Sequence, residues 1–273
     1  MTNFEEHLAM ERTGALAGLN PMFGEWQHHF HFAPKPYGNV SAKQGEFRAA
    51  IQAELTNQWL YSSNVSLEII LHVDVQTTLE TDETADLDNY AKAILDAIKG
   101  PNGIMIDDTQ VQSLSISWIN GYGRPSFSIS ARGSPDDFVL KPQEFYEMPD
   151  RLWYPLGRAL WSDGKAVNIS DLEHYLHLSV IEQISSAQNR VRAQLRNAGH
   201  NRLKAYQIGR RIATSARGFH RSRIEGSFQM HSRSEWQNER TVWGERNADE
   251  LKLIIKEMRE IHDLQIDFIT SQS

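Results

Sequence analysis

The chain has 273 residues, which is enough for one large domain or two ordinary ones. Its net charge of −7 argues against a general nucleic-acid coat protein, and the absence of cysteine excludes disulfides and thiolate metal sites. No apolar run approaches the roughly 20 residues that span a bilayer, and the polar N-terminal stretch is unlike a secretory signal. We therefore expect a cytoplasmic protein that does not enter a membrane.

The chain begins with an expected N-terminal extension, residues 1–24, and then alternates between strand and helix patterns. Residues 26–32 and 65–75 alternate apolar and polar side chains, as half-buried strands do. Between them lie a Pro- and Gly-containing loop at 34–39 and apolar residues at helical spacing over 47–60. These patterns predict a strand, a loop, a helix and a second strand, in that order.

The next predicted elements surround a group of carboxylates. A helix is predicted to follow Asp88, and a short apolar strand at 104–106 is predicted to follow the helix. Residues 114–118 and 127–131 alternate with serines as strands do, and the Gly-containing segment 120–125 suits a hairpin loop between them. This order of elements predicts an α/β (α+β) fold with a mixed β-sheet and flanking helices.

The rest of the chain is predicted to be mainly helical. Ser170 and Glu173 form a capping-box signature, and Gly199 closes the helix that they open. One apolar stripe runs along that helix: Leu172, Leu176, Val180, Ile184, Ala187, Val191 and Leu195. Asn247 is predicted to begin a second helix with a long apolar stripe of its own.

These patterns divide the chain into three parts. After the extension, residues 25–140 are predicted to form the α/β domain, and residues 141–273 a mainly helical C-terminal domain. The Pro-containing segment 134–142 is interpreted as the linker between these two domains.

The helix after Asp88 is flanked by carboxylates that can serve a metal ion. Asp86 and Asp88 precede or open it, and Asp107 and Asp108 follow it. In extended backbone Asp86 and Asp88 would share one face. Carboxylate oxygens without Cys or His suit Mg²⁺ or Mn²⁺, and a bound metal can neutralise a phosphodiester transition state. Lys92, one helical turn after Asp88, can reach into such a cluster.

Ordinary structural roles remain open for the same residues. Asp88 can cap the helix, and Asp88 with Lys92 can be an exposed ion pair of about 0.3–0.5 kcal/mol. Asp107 and Asp108 can be turn residues.

The segment Asp86–Val111 resembles the RusA family of Holliday-junction resolvases. It carries Asp-Leu-Asp-Asn, a Lys four residues after the second Asp, a Gly-containing turn and Asp-Asp-x-Gln-Val. The order of predicted elements extends the resemblance over residues 25–135, and so to a RusA-like fold. It implies a Mg²⁺-dependent homodimeric endonuclease of DNA recombination and repair, which nicks two opposing strands of branched DNA. By position, the resemblance makes Asp86, Asp88 and Asp108 metal ligands, with Asp107 as a further candidate, and makes Lys92 the catalytic lysine.

Two features depart from that resemblance. Acidic residues precede Asp86, and the chain is about twice the length of a minimal member. Between Glu182 and Glu225 no acidic residue occurs, and ten basic residues lie in this interval, the last two being Arg221 and Arg223. We hypothesise that this basic segment, 190–223, contacts DNA phosphates, and its candidate residues are Arg190, Arg192, Arg196, Arg202, Lys204, Arg210, Arg211 and Arg217. A solvated helix face, or a surface that docks on the acidic remainder of the chain, is the alternative.

The leading hypothesis is therefore a metal-dependent, structure-selective DNA endonuclease. The main alternative is a non-cleaving protein on a RusA-like fold that binds DNA junctions or a partner. A third is a regulatory protein in which the carboxylates bind Mg²⁺ only structurally.

Overall fold

The structure is a computed structural model that describes residues 16–38, 41–74, 86–120, 123–162, 165–209, 217–249, 251–252 and 256. The chain divides into two compact units, Met1–Met230 and His231–Ser273. Among the described residues, no helix combines the length and the apolar character that crossing a membrane requires.

The described elements are mixed, with strands dominating the first two thirds. The strands are β1 (Glu25–Phe30), β2 (Trp59–Tyr61), β3 (Val65–Val73), β4 (Val111–Asn120), β5 (Ser126–Arg132), β6 (Phe138–Leu140), β7 (Gln143–Glu147), β8 (Trp153–Gly157), β9 (Ala159–Ser162), β10 (Lys165–Asn168) and β11 (Gln229–His231). The helices are α1 (Ser41–Glu54), α2 (Leu87–Ile98), α3 (Asp171–Asn197), α4 (Arg202–Gly209), α5 (Arg221–Ile224) and α6 (Arg233–Arg246). The predicted α/β (α+β) fold with a helical C-terminal region is confirmed.

The central sheet has the strand order β1-β5-β3-β4. Strand β4 runs parallel to β3, whereas β5 runs antiparallel to both β1 and β3. The predicted hairpin between residues 114–118 and 127–131 is therefore wrong, because β3 lies between β4 and β5. A parallel pair needs a crossover connection, and α2 provides it. Helix α2 consequently runs back from the end of β3 towards the start of β4.

One face of this sheet forms the main core under α1 and α2. Phe30, Ile69 and Phe127 from three strands and Ile51 and Ile94 from the two helices are all fully buried. Burying an aliphatic side chain of this size contributes about 1.5–3 kcal/mol, so the sheet and α2 are held firmly to each other.

The end of the expected extension also belongs to this core. Leu16 and Leu19 are buried, and the indole N–H of Trp59 donates to the Leu16 carbonyl. Residues 16–24 are therefore packed against the domain, contrary to the prediction of an extension up to residue 24. The sequence pattern did not predict this burial, because a segment of this length is too short to show amphipathic periodicity.

A second core joins the central domain to later parts of the chain. Its buried residues are Leu60, Ile106, Phe145, Trp153, Phe219 and Ile224. Strand β6 pairs with β2, and β7 lies between β8 and β11 in a three-stranded sheet. The segment interpreted as a linker thus contains a paired strand, and strands rather than helices fill most of residues 138–168.

Helix α3 begins where the capping box predicted it. The Ser170 hydroxyl accepts from the Glu173 N–H, and Gly199 follows the helix with a φ of 87°. Its buried positions differ from the predicted apolar stripe: they are His174, Leu178, Ser185 and Gln188, whereas Val180 is exposed. Polar side chains occupy these positions because they find partners there, as His174 does on the Tyr146 hydroxyl at 3.2 Å.

Asn247 ends α6, and residues 248–249 and 251–252 after it are helical. Most of the predicted second stripe lies outside the described residues.

Candidate active site

Asp86 and Asp88 lie at the N-terminus of α2. Asp86 occupies the N-cap position with extended backbone (φ −67°, ψ 160°), but its side chain makes no capping hydrogen bond. Asp88 is already inside the first helical turn, so the prediction that both residues share an extended backbone is wrong. Both side chains are exposed. The N-terminal end of the helix dipole favours negative charge at this position.

Lys92 follows on the next turn of α2 and is also exposed. Its Nζ atom lies 3.9 Å from the centre of the Tyr37 ring, a cation–π contact. The Tyr37 N–H donates to the Asn89 carbonyl at 3.0 Å, which fixes the loop to the helix. The ring therefore orients the ammonium without neutralising its charge.

The second carboxylate pair sits in a tight turn before β4. Asp107 is buried, and its Oδ1 accepts from both the N–H and the hydroxyl of Thr109. Gln110 is fully buried: its Oε1 accepts from the Ile106 and Asp107 N–H groups. Its Nε2 donates to the carbonyls of Tyr61 and Ser63. The Gln of the Asp-Asp-x-Gln motif thus has a structural role, because it fixes the turn that presents Asp108.

Asp108 is half-buried and is surrounded by cations. Lys99 donates to its Oδ2 at 2.8 Å and pairs with Asp96 at 2.7 Å. Burial alone would lower the pKa of Lys99, but the carboxylates of Asp108 and Asp96 outweigh it and raise that pKa. Arg223 Nη1 lies 3.8 Å from Asp108 Oδ1 and 3.9 Å from Asp107 Oδ1. The sequence did not single out Lys99, and it indicated Arg223 as part of the basic segment 190–223 but not as a neighbour of Asp108.

The two carboxylate pairs lie at opposite ends of α2. Asp86 is the N-cap and Lys99 the C-cap of this 12-residue helix, which is about 18 Å long. Because Lys99 is bonded to Asp108, that carboxylate lies near the C-terminal end. The β3–β4 register agrees, since Val65 at the start of β3 pairs with Val111 just after the turn. One chain therefore does not bring Asp86 and Asp88 together with Asp108.

The chemical type of these side chains suits a divalent metal, but their arrangement within one chain does not. All the donors are carboxylate oxygens, which suit Mg²⁺ or Mn²⁺. Across the described parts of the chain, no three His, Asp or Glu side chains are grouped so that they can hold a metal ion.

Comparison with known families assigns this region. Residues 19–130 match the family model for the endodeoxyribonuclease RusA. This part of the chain is a RusA-family domain. The family's activity is that of a Holliday-junction endonuclease, and its resolvases are generally dependent on a divalent metal. No curated protein matches the chain. The matched residues contain Asp86, Asp88, Lys92 and Asp108, and the match ends within β5.

The basic residues predicted to contact DNA lie outside the RusA domain, and the structure gives them different surroundings. Arg190, Arg196, Arg202 and Lys204 are exposed on α3 and α4. Arg210 and Arg211 lie outside the described residues. Arg217 donates to Asn64 Oδ1 at 2.8 Å and to the Thr109 carbonyl at 3.4 Å, beside the Asp108 turn.

Arg192 has mainly packing contacts. Its side chain is 13% exposed, and its guanidinium lies 3.6 Å from Asp150 and 4.3 Å from the centre of the Tyr206 ring. It also donates to the Gln188 side chain at 3.0 Å. These contacts join α3 to α4 and account for Arg192 without DNA.

Proposed function

We propose that the protein is a Mg²⁺-dependent, structure-selective DNA endonuclease that resolves four-way junctions by paired symmetric nicks. The observation that carries this proposal is the retention of Asp86, Asp88, Lys92 and Asp108 on a domain of the RusA family, three of them exposed. A relative that had lost catalysis would be free to replace these residues.

In this proposal the carboxylates and the lysine have different tasks in phosphodiester hydrolysis. Asp86, Asp88 and Asp108 would hold the metal, with Asp107 as a further candidate, although the Thr109 contacts already occupy one of its oxygens. A bound Mg²⁺ supplies charge neutralisation at the phosphate and lowers the pKa of a water nucleophile. Lys92 would place a cation beside the scissile phosphate, held in direction by the Tyr37 ring.

A homodimer provides a way to complete this metal site. Because α2 separates the carboxylates of one chain, Asp86 and Asp88 of one copy would meet Asp108 of a second copy. A two-fold symmetric pair makes every such contact twice. Two equivalent sites would then cut two opposing strands, as symmetric junction resolution requires.

The exposed basic residues of α3 and α4 would supply DNA contacts in a chain whose net charge is −7. Arg190, Arg196, Arg202 and Lys204 are the described candidates, and Arg210 and Arg211 extend the set by sequence. Phosphate contacts of this kind give affinity that falls steeply with salt concentration.

One observation favours a second candidate function. Asp108 is already paired with Lys99, so a chain that never releases it would bind junctions without cutting them. Such a non-cleaving junction-binding protein would need no metal.

The test is an assay on a synthetic mobile four-way junction with Mg²⁺, with EDTA and with an Asp88→Asn variant. The nuclease proposal expects paired nicks that require metal and decrease at least 100-fold in the variant. Asp136→Asn, which changes an exposed carboxylate after β5, is the matched control and should cut normally. Binding without nicks in any divalent metal would favour the second candidate instead.

A further inference from the structure

The segment Arg217–Glu225 is fastened to the RusA domain next to the candidate metal-binding turn. Phe219 exchanges two backbone hydrogen bonds, of 2.8 and 2.9 Å, with Trp153 of β8, which lies after the RusA match in the chain. The side chains of Phe219 and Ile224 are buried in the same core cluster as Ile106, which directly precedes the turn. The position of this segment relative to Asp107 and Asp108 is therefore fixed by packing.

Arg223 projects from this segment towards the two carboxylates. Its Nη1 lies 3.8 Å from Asp108 and 3.9 Å from Asp107, and half of its side chain, 51%, is exposed. These distances allow electrostatic attraction but exceed those of a hydrogen bond. The guanidinium carries five N–H donors in a planar fork, and such a fork binds a phosphate through two parallel hydrogen bonds.

Arg217, at the start of the segment, also attaches it to the RusA domain. It joins Asn64, just before β3, to the Thr109 carbonyl in the turn. Two arginines from a region beyond the family match thus converge on one turn of the RusA domain. Arg217 is engaged in holding the segment, whereas the side-chain contacts of Arg223 with the described residues are the two long ion pairs.

We propose that Arg223 is a phosphate-binding residue of the nuclease site, supplied by the C-terminal part of the chain. The inference rests on the proposed function and deepens it. Without DNA, Arg223 lies against Asp107 and Asp108. A divalent cation held by Asp108 would weaken the attraction between Arg223 and that carboxylate, and would favour a backbone phosphate of the DNA as the partner of the guanidinium.

The simpler role for Arg223 is to neutralise the two carboxylates in the folded protein. The two roles differ in what DNA binding reports. A side chain that binds a DNA phosphate contributes to the affinity for DNA and to the dependence of that affinity on salt concentration, whereas a purely structural cation does not.

The test compares Arg223→Gln with Arg221→Gln. Arg221 lies two residues away on α5, is exposed, and pairs with Glu225 at 2.7 Å rather than with the turn. Binding of a fluorescent synthetic four-way junction is measured in Ca²⁺ over a range of salt concentrations, and nicking is measured in Mg²⁺. Thermal melts verify that each variant is folded.

For Arg223→Gln we expect the Kd for the junction to rise at least fivefold. We also expect the slope of the logarithm of affinity against the logarithm of salt concentration to decrease in magnitude by about one. We also expect a nicking rate at least tenfold lower, while Arg221→Gln stays within twofold of the unchanged protein. Equal behaviour of the two variants in both assays would overturn the proposal. If Arg223→Gln does not fold, Arg223→Lys decides: it keeps the charge but loses the fork, and undiminished junction affinity would overturn the proposal.

The outcomes distinguish a failure of the proposed function from a failure of the role of Arg223 alone. If the unchanged protein neither binds nor nicks the junction, the proposed function fails, and this inference fails with it. If the unchanged protein nicks normally and Arg223→Gln matches Arg221→Gln, only the role of Arg223 fails. If the protein binds without nicking, the affinity and the salt slope alone decide the role of Arg223.

Discussion

The ammonium of Lys99 donates a 2.8 Å hydrogen bond to Oδ2 of Asp108, and this pair ties the last residue of α2 to the turn before β4. Asp86 and Asp88 begin the same helix, about 18 Å away along its axis. The bond therefore holds Asp108 at the C-terminal end of α2, whereas Asp86 and Asp88 lie at the N-terminal end of the same helix. It also gives Asp108 a cation that any divalent metal has to displace.

Mixing two inactive variants tests whether two copies share each site. We expect Asp88→Asn and Asp108→Asn to be inactive alone, and their mixture after subunit exchange to recover nicking. In a mixed dimer with shared sites, one site carries both substitutions and the other carries neither. The recovered activity should approach one quarter of the unchanged protein, because half of the dimers are mixed and each has one intact site. The measurement is the initial nicking rate on a four-way junction.

Sites built within one chain give the opposite result. Each site of a mixed dimer would then carry one substitution, and the mixture would stay as inactive as its components. A mixture of Asp88→Asn with itself provides the background.

Removing the Lys99 cation should ease metal binding. With Lys99→Gln, Asp108 loses its closest cation, and the Mg²⁺ concentration for half-maximal nicking should fall about three- to tenfold, the equivalent of roughly 1 kcal/mol. Titration of the nicking rate with Mg²⁺ measures this. Lys252→Gln, which removes an exposed cation that pairs with Asp249, is the control. An unchanged or higher Mg²⁺ requirement in Lys99→Gln would show that Asp108 does not bind the metal.

Tyr37 should matter through its ring. Tyr37→Leu removes the cation–π contact with Lys92, and we expect a three- to tenfold lower rate of nicking at saturating DNA. Tyr37→Phe keeps the aromatic face and should stay within twofold. Single-turnover rates of both variants measure the effect. Equal losses in the two variants would assign the role to the hydroxyl instead.

Gln110 should be important for stability. Gln110→Leu leaves two N–H groups and two carbonyls without their partners in a buried turn. We expect the free energy of unfolding to fall by about 2–4 kcal/mol. Gln112→Leu changes an exposed glutamine two residues later and should cost under about 0.5 kcal/mol. Urea unfolding followed by circular dichroism compares them, and similar midpoints would contradict the assigned role.

His174 should make the fold sensitive to acid. Burial, and then the charge of Arg158, lower the pKa of His174 from 6.5 to about 4, so the imidazole is neutral in the folded protein. In the unfolded chain the His174 imidazole binds a proton below about pH 6.5, whereas in the folded chain it binds one only below about pH 4. Stability is therefore lost as the pH falls through this window, by about 1–2 kcal/mol after solvent screening.

His174→Gln removes the titrating group and provides the comparison. The difference in the free energy of unfolding between the unchanged protein and this variant should shrink as the pH falls from 6.5 to 4. A difference that stays constant over that range would show that His174 is not buried in its neutral form.

Local signals predicted much of the fold. Period-two alternation identified β3 and β5, and helical spacing identified α2 and the second half of α1, because these elements each bury one face. The helical pattern predicted over 47–60 is wrong after Glu54, because Leu60 lies in β2. Ser170 and Glu173 located the start of α3 through hydrogen bonds between residues three apart. The pairing of β3 with β4, the strand β6 and the burial of Leu16 were not predicted, because they depend on contacts between distant parts of the chain.

The sequence by itself determined the chemistry of the candidate site. Asp86, Asp88, Lys92 and Asp108 are recognisable because residue type and spacing within one helix and one turn are local properties. Only the tertiary structure decided where these groups lie. The parallel β3–β4 pair requires α2 to run the full length of the crossover, which separates the carboxylates. Packing of Phe219 and Ile224 brings Arg223 to Asp108 from 115 positions along the chain, a distance over which no sequence pattern carries information.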